Sequence, residues 1–152
     1  MPQKKIIKKF DYPIELIEKL ILDIDKYKKF LPWCTGSKII SFKETKSKID
    51  IIADLEIGYS FAKDIYTSSV NYDKNKKKIT VKSIKGPLKN LENIWSLKKI
   101  NKHKCEVSFS INLELKNLLL NKMLSSMFDI GFDKILKSFE DRAHYLSKNQ
   151  II

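Results

Sequence analysis

The stretch CEVSFSINLEL, residues 105–115, alternates apolar and polar side chains without interruption. Its apolar members are Cys105, Val107, Phe109, Ile111, Leu113 and Leu115, and its polar members are Glu106, Ser108, Ser110, Asn112 and Glu114. Because successive side chains of a strand point to opposite faces, this pattern is typical of an antiparallel strand with one buried and one solvated face. It predicts a sheet whose apolar side needs a second layer to cover it.

The segment that follows this strand predicts the covering layer. From Asn117 to about Leu146, apolar residues recur every three or four positions, which indicates one long amphipathic helix. Its apolar stripe consists of Leu120, Met123, Leu124, Met127, Phe128, Gly131, Ile135, Phe139 and Ala143. At 1.5 Å per residue, about 28 residues give a helix of about 42 Å, which is long enough to cross a whole sheet.

The preceding part of the chain predicts a mixture of strands and helices. A first strand is expected at 4–10, and a helix near 13–25 begins where Asp11 offers a cap and Pro13 a tolerated first-turn residue. A short helical turn precedes Pro32, and further strands follow from Ser37 onward, including 49–57, 61–72, 78–84 and 91–100. The order strand, helix, short helix, six strands and long helix predicts a single α+β domain over residues 1–152.

Charge and composition limit the classes of partner. The chain has 152 residues, of which 43% are hydrophobic, and a formal net charge of +12. All of its 30 basic residues except Arg142 are lysines, and the joint abundance of lysine, isoleucine and asparagine is typical of A+T-rich coding sequence. Arginine provides the planar fork that reads guanine and grips phosphate, so we expect no DNA partner. An electrostatic role toward anionic lipid or RNA stays open.

The sequence lacks the features of export and membrane insertion. Met1 is not followed by an apolar signal segment, and no apolar run approaches the length of a bilayer-spanning helix. We therefore expect a cytoplasmic protein, or one that is peripheral to the inner membrane. Cys34 and Cys105 lie far apart in the sequence, and we expect both to be free, buried thiols.

The sequence also lacks catalytic and metal-binding motifs. It contains no GxSxG, P-loop, GxGxxG or HExxH pattern, and it has only 4 glycines. His103 lies in a predicted turn and His144 near the end of the long helix, without a nucleophile beside either. The carboxylates of Asp50, Asp54 and Glu56 fall on the polar face of their strand. We therefore predict a non-enzymatic protein with no catalytic residue, no metal site and no cofactor.

Three tracts resemble one protein family. They are YKKFLPWC at Tyr27–Cys34, GPLKNLENIWSL at Gly86–Leu97, and the helical tract from Phe128 to Ala143. Together they make the sequence similar to the coenzyme Q-binding protein and ribosome association toxin family, a START-like branch of the polyketide cyclase/dehydrase superfamily. The resemblance implies a helix-grip fold, in which a curved antiparallel sheet of about seven strands surrounds a long C-terminal helix.

The same resemblance implies a function. Its first implication is non-enzymatic binding of a hydrophobic ligand, with ubiquinone (coenzyme Q) as the bound molecule, in support of respiratory electron transport or quinone biosynthesis. The alternative is a ribosome association toxin that binds the large ribosomal subunit and blocks subunit joining. A polyketide cyclase or dehydrase is a third interpretation, which the missing acid/base pair disfavours.

Apolar side chains would line a cavity between the sheet and the helix. The candidate ligand-binding residues there are Ile51, Leu55, Trp95, Phe109, Leu113, Leu124, Phe128, Gly131 and Ile135. Ordinary close packing of the same residues is an equal alternative. The apolar loop of Phe30, Leu31, Pro32 and Trp33, flanked by lysines, completes the candidate site. We hypothesise that this loop is a lid that touches a bilayer, and the alternative is that it plugs the end of the sheet.

Overall fold

The helices and strands follow one another in the order that the sequence predicts. A computed structural model describes residues 3–59 and 62–149, without the side chains of residues 59, 62, 120, 121 and 123–127. The elements are β1 (Gln3–Phe10), α1 (Ile14–Leu22), a 3-10 helix (Ile24–Lys29), β2 (Cys34–Glu44), β3 (Lys48–Tyr59), β4 (Ala62–Asp73), β5 (Lys78–Lys85), β6 (Leu88–Asn101), β7 (Lys104–Leu115) and α2 (Leu118–Asn149). The predicted α+β class is confirmed, whereas Phe61, the predicted start of one strand, lies outside the described residues.

The strands form one 7-stranded antiparallel sheet with the order β1-β7-β6-β5-β4-β3-β2. The alternating stretch 105–115 lies in β7, between β1 and β6, and the side chains of Cys105, Val107 and Phe109 are between 0% and 2% exposed. Register shifts in β2, in β6 and between β4 and β5 bend the sheet, because an extra residue on one strand increases the local twist. The predicted curved antiparallel sheet is thus confirmed.

The helix predicted near 13–25 is two elements in the structure. α1 ends at Leu22 because Asp23 has non-helical backbone angles (φ −85°, ψ 65°), and the 3-10 helix begins at Ile24. The carboxylate of Asp25 then accepts a hydrogen bond of 2.8 Å from the backbone N–H of Ile39 in β2. Since β2 is an edge strand, this bond satisfies a donor that the sheet itself leaves unpaired.

The C-terminal helix α2 has 32 residues and is therefore about 48 Å long. Among its described side chains, the most buried are Phe132, Leu136, Phe139 and Ala143, each at most 5% exposed. The predicted stripe contained the last two of these but omitted Phe132 and Leu136. The spacing from Phe128 through these four residues is 4, 4, 3 and 4, which follows the 3.6-residue period of a straight helix.

The outer face of the sheet, which points away from α2, carries polar side chains together with a few exposed apolar ones such as Ile7 and Ile65. Asp50 and Asp54 of β3 accept hydrogen bonds from Asn71 (2.7 Å) and Thr67 (2.6 Å) of β4. Glu56 accepts a hydrogen bond of 2.7 Å from the hydroxyl of Thr35 in β2. These carboxylates are therefore surface groups that link neighbouring strands, on the face that the alternation predicts.

Candidate ligand-binding site

The inner face of the sheet is a floor of side chains in transverse rows, because directly opposed residues on antiparallel strands point to the same side. Across β3 to β7, the first row is Ile49, Tyr72, Ile79, Trp95 and Phe109, and the second is Ile51, Val70, Val81, Asn93 and Ile111. At the sheet edges the first row continues to Glu44 of β2 and the second to Lys4 of β1. The third row is Ile39, Ala53, Ser68 and Ser83, and the fourth is Ser37, Leu55 and Tyr66. The first row lies near the hairpins that join β2–β3, β4–β5 and β6–β7, and the fourth lies near the start of β2, the end that we call the Trp33 end.

An aromatic cluster covers the first row. The ring centroid of Trp95 lies 4.4 Å from that of Phe109 and 4.9 Å from that of Phe139 in α2. Phe132 of α2 lies 5.0 Å from Phe109, and Phe128 lies 6.2 Å from Phe132. The structure therefore packs Trp95 and Phe109 as core, and it joins the half-buried Phe128 to them through Phe132.

The loop predicted as a lid begins in the same cluster. Phe30 lies 5.3 Å from Phe139 and 5.8 Å from Tyr27, with the ring planes close to perpendicular. The hydroxyl of Tyr27 donates a hydrogen bond to the backbone carbonyl of Ile21. Burial raises the pKa of Tyr27 well above its usual value of 10, so that its phenol stays protonated and keeps this bond. Phe30 is thus an anchor of the loop.

The tip of the loop lies against the long helix. A Cβ atom on Gly131 would be 3.5 Å and 3.6 Å from two ring atoms of Trp33, so the indole lies over the surface of α2 at this glycine. Trp33 has a positive φ of 63°, and its carbonyl accepts a hydrogen bond of 2.8 Å from the N–H of Gly58. The ammonium of Lys134 lies 5.9 Å from the centre of the indole. Two separately predicted features, the loop and Gly131, are therefore in contact.

The other predicted site residues occupy the floor and its borders. Ile51 and Leu55 are buried in the second and fourth rows, and Leu113 of β7 is half-buried opposite Leu91 of β6. Leu31, Pro32 and Ile135 are also half-buried. Leu124 belongs to α2, but its side chain lies outside the described residues. Their role as ligand-binding residues stays a prediction.

Sequence reasoning missed the inward-facing residues of β4 and β5. Tyr66, Ser68 and Ser83 belong to the floor, whereas the more hydrophobic Ile65 is 51% exposed on the outer face. Burial, with a smaller contribution from nearby Cys34, raises the pKa of Tyr66 above its usual value. The sequence pattern that could have identified them is the alternation of Tyr66, Ser68, Val70 and Tyr72. The register with β3 is needed to show that this set, and not its neighbours, faces α2.

The two free thiols differ in accessibility, and we predict a large difference in their reactivity. Burial, followed by the charges of Glu15 and Glu18, raises the pKa of Cys105 to about 11, and its side chain is fully buried. Burial also raises the pKa of the half-buried Cys34. Iodoacetamide at pH 8 should modify Cys34 more than a hundredfold faster than Cys105, because the buried thiol reacts only when the fold opens. Peptide mapping measures both rates, and equal rates in the native protein would contradict the packing of β7.

The surface end of the fold opposite Trp33 is polar. A depression of about 470 Å³ is lined by Asp11 and by Asn101, Lys102, His103 and Lys104 of the β6–β7 turn. His144 is exposed on α2, with Nδ1 3.2 Å from the hydroxyl of Tyr12. Within residues 3–59 and 62–149, no three histidine, cysteine, aspartate or glutamate side chains converge as metal ligands. These groups lie outside the apolar floor.

An antiparallel sheet that curves around a long C-terminal helix, with apolar side chains on both facing sides, defines the START-like helix-grip class. Solved structures agree. The Zhui aromatase/cyclase from Streptomyces sp. R1128 matches with a TM-score of 0.78 at 11% identity, over 96% of this chain and 95% of that one. A START superfamily protein from Mycobacterium smegmatis matches with a TM-score of 0.76 at 15% identity, over 95% and 98% of the two chains. At such identities the likeness is one of fold.

The chain belongs to the polyketide cyclase / dehydrase and lipid transport family, whose model matches residues 10–140. Ribosome association toxin RatA of Rickettsia prowazekii is 30% identical over 132 residues, which are 85% of this chain and 87% of that protein. The mitochondrial coenzyme Q-binding protein COQ10 of Dictyostelium discoideum is 27% identical over 144 residues, which are 94% and 69% of the two chains. The resemblance to the family of these two proteins is confirmed.

Proposed function

We propose that this chain binds a hydrophobic small molecule between the floor and α2. The proposed ligand is a polyprenyl quinone of the ubiquinone type, and its binding serves respiratory electron transport or quinone biosynthesis. The observation that carries the proposal is the composition of the floor, because its four rows hold no charged residue on β3 to β7, and the charged residues that extend two of them, Glu44 of β2 and Lys4 of β1, lie at the edges of the sheet. Burial of an isoprenoid tail on such a surface contributes about 25 cal/mol to the binding free energy for each Å² of apolar surface removed from water. The name of the coenzyme Q-binding relative supports the same ligand class.

We propose further that the chain performs no bond chemistry on this ligand. The titratable group of the fourth row is the phenol of Tyr66, and its raised pKa keeps it neutral near pH 7. Both histidines are exposed, on the β6–β7 turn and on the outer side of α2. A buried neutral phenol donates a hydrogen bond but is a poor proton-transfer catalyst at this pH.

Loading with a short-tailed ubiquinone tests the proposal. The two tryptophans allow separate readouts, since Trp33→Phe leaves Trp95 as the single reporter and Trp95→Phe leaves Trp33. We expect saturable quenching of tryptophan fluorescence by the quinone, and recovery of quinone from the purified protein by lipid extraction. If extraction yields no quinone and none can be loaded into the parent protein, the proposal fails.

We also propose a transient contact between the Trp33 end and a membrane. Within the described part of the chain, no helix is both long enough and apolar enough to cross a bilayer. Trp33 is half-buried, and Leu118 and Leu119 at the start of α2 are 83% and 70% exposed. Indole side chains favour the membrane interface, and nearby lysines such as Lys134 favour anionic headgroups.

Vesicle binding tests this contact. We expect Trp33→Ala to weaken co-sedimentation with anionic vesicles by roughly fivefold to tenfold, because the indole is lost from the interface. The control is Phe42→Ala, which removes another aromatic side chain, 52% exposed, from the opposite end of β2. Equal binding of the parent protein and Trp33→Ala would reject the membrane contact.

A second candidate function is association with the large ribosomal subunit. Lysines crowd the end of the sheet opposite Trp33: Lys43, Lys46 and Lys48 of the β2–β3 hairpin, Lys74, Lys76, Lys77 and Lys78 of the β4–β5 hairpin, and Lys98, Lys99, Lys102 and Lys104 of the β6–β7 hairpin. Only some have acidic neighbours, such as Glu44, which lies 2.6 Å from Lys74. This lysine-rich end of the sheet favours binding of a polyanion such as ribosomal RNA. RatA of Rickettsia prowazekii is named for ribosome association.

Charge reversal separates the two candidates. Lys76→Glu with Lys102→Glu should weaken co-sedimentation with the large subunit by more than tenfold at low salt, because fewer counterions are released. Lys38→Glu with Lys122→Glu carries the same charge change on exposed lysines elsewhere and should behave like the parent. Unchanged 70S levels on overexpression of the parent would count against the ribosomal role.

A further inference from the structure

The third row makes a dip in the floor. Ala53, Ser68 and Ser83 are directly opposed on β3, β4 and β5, so three small side chains lie side by side. The second row beside them presents Ile51, Val70 and Val81, and the fourth presents Leu55 and Tyr66. Larger side chains thus border the small ones on both sides, and the dip lies one row inward from Tyr66.

Ser68 places an unused hydrogen-bonding group in this dip. Its side chain is 0% exposed, and its hydroxyl oxygen has no hydrogen-bond partner among the described residues. A buried hydroxyl without a partner is destabilising, and native structures nearly always provide one. A group of matching polarity that enters from outside the chain would remove the penalty.

We propose that Ser68 donates a hydrogen bond to the oxygen-bearing ring of the bound ligand, so that the ring enters first and the prenyl tail extends toward the Trp33 end. This inference rests on the proposed function and adds the orientation and the head-group chemistry. The ring must be neutral and must carry a carbonyl or ether oxygen as acceptor. A carboxylate or phosphate head does not fit, because the third row and the rows beside it hold no charged residue on β3 to β6. Lys4, at the β1 end of the second row, is already paired with Asp129 and Asp133 of α2. The tail cannot extend the other way, because the aromatic cluster packs over the first row, at the end of the floor opposite Trp33.

Ser68→Ala tests the hydrogen bond with two probes. A short-tailed ubiquinone has the ring oxygens, and a prenyl hydrocarbon of similar tail length lacks them. We expect roughly tenfold weaker binding of the quinone to Ser68→Ala and unchanged binding of the hydrocarbon. The melting temperature of the ligand-free variant should equal or exceed that of the parent, because the variant no longer buries an unpaired hydroxyl. Ser69→Ala is the matched control, since Ser69 is the next residue of β4 and its hydroxyl bonds Asn71 on the outer face.

Each other outcome has a separate meaning. If the parent binds neither probe, the proposed function fails before the role of Ser68 is reached. If the parent binds quinone and Ser68→Ala binds it equally well, the inference is overturned while the proposed function stands. A lower melting temperature of ligand-free Ser68→Ala, together with equal loss for both probes, would assign the hydroxyl to the structure of the floor and would also overturn the inference.

Discussion

Replacement of Trp95 by alanine is expected to lower the free energy of unfolding by about 3–5 kcal/mol, because a large side chain is lost from a site that cannot collapse. Trp95 is 2% exposed and contacts Phe109 and Phe139 at centroid distances of 4.4 and 4.9 Å. These rings come from β6, β7 and α2, so the cavity would lie where the sheet meets the helix. Urea unfolding followed by circular dichroism measures the loss without relying on tryptophan fluorescence.

The second tryptophan provides the control for this prediction. Trp33 is half-buried in a loop, and its ring rests on the surface of α2 at Gly131. Trp33→Ala should therefore lower the free energy of unfolding by only about 1 kcal/mol, the range of substitutions outside the core. If the two alanine variants lost the same free energy, the aromatic cluster would not be the closed core that the ring contacts indicate.

Gly86→Ala is the second substitution with a large expected effect. Gly86 has a φ of +126°, and a Cβ at this position would lie 2.8 Å from both Cα and Cβ of Tyr66 and 2.9 Å from the carbonyl oxygen of Ile65. Backbone atoms of a paired strand cannot move away as the end of a side chain can. We expect a loss of about 2–4 kcal/mol from the combined backbone strain and displacement of β4. Thermal and urea unfolding measure it.

A second glycine serves as the control here too. A methyl group on Gly131 would make ordinary contacts of 3.5 and 3.6 Å with the ring of Trp33, and its position is helical. Alanine favours a helix by about 1 kcal/mol relative to glycine, so Gly131→Ala should leave stability unchanged or raise it by up to about 1 kcal/mol. Equal losses for the two alanine variants would contradict the tight approach of the β5–β6 turn to Tyr66.

Local sequence patterns predicted the parts of the fold that obey one period. The alternation in 105–115 identified β7, and the three-to-four spacing after Asn117 identified α2. They did so because each element buries one continuous face. The break after Leu22 escaped prediction, since helical spacing continues to Ile24 while Asp25 is recruited by the edge of β2. That contact joins residues distant in sequence, which no local period can encode.

The candidate site was harder to predict than the fold. Apolar residues such as Trp95 and Phe109 were found because they stand out from their polar neighbours. Ser68 was not, since a serine inside a strand is ordinarily assigned to the wet face. Its inward orientation follows from the register of β4 against β3 and β5, and its lack of a partner follows from the packing around it. Both are properties of the assembled sheet.

The pairing of β1 with β7 has a consequence for synthesis on the ribosome. Phe10 pairs with Cys105, so β1, which is synthesised before every other strand of this sheet, cannot pair until β7, the last strand of the sheet, has been synthesised. During that interval β1 is an unpaired strand, and its lysines, among them Lys5, Lys8 and Lys9, oppose pairing with another chain. Closure across such a sequence separation is slow compared with hairpin formation. We expect pulse-labelling hydrogen exchange to show the amides of β1 protected last, after the β2–β6 meander.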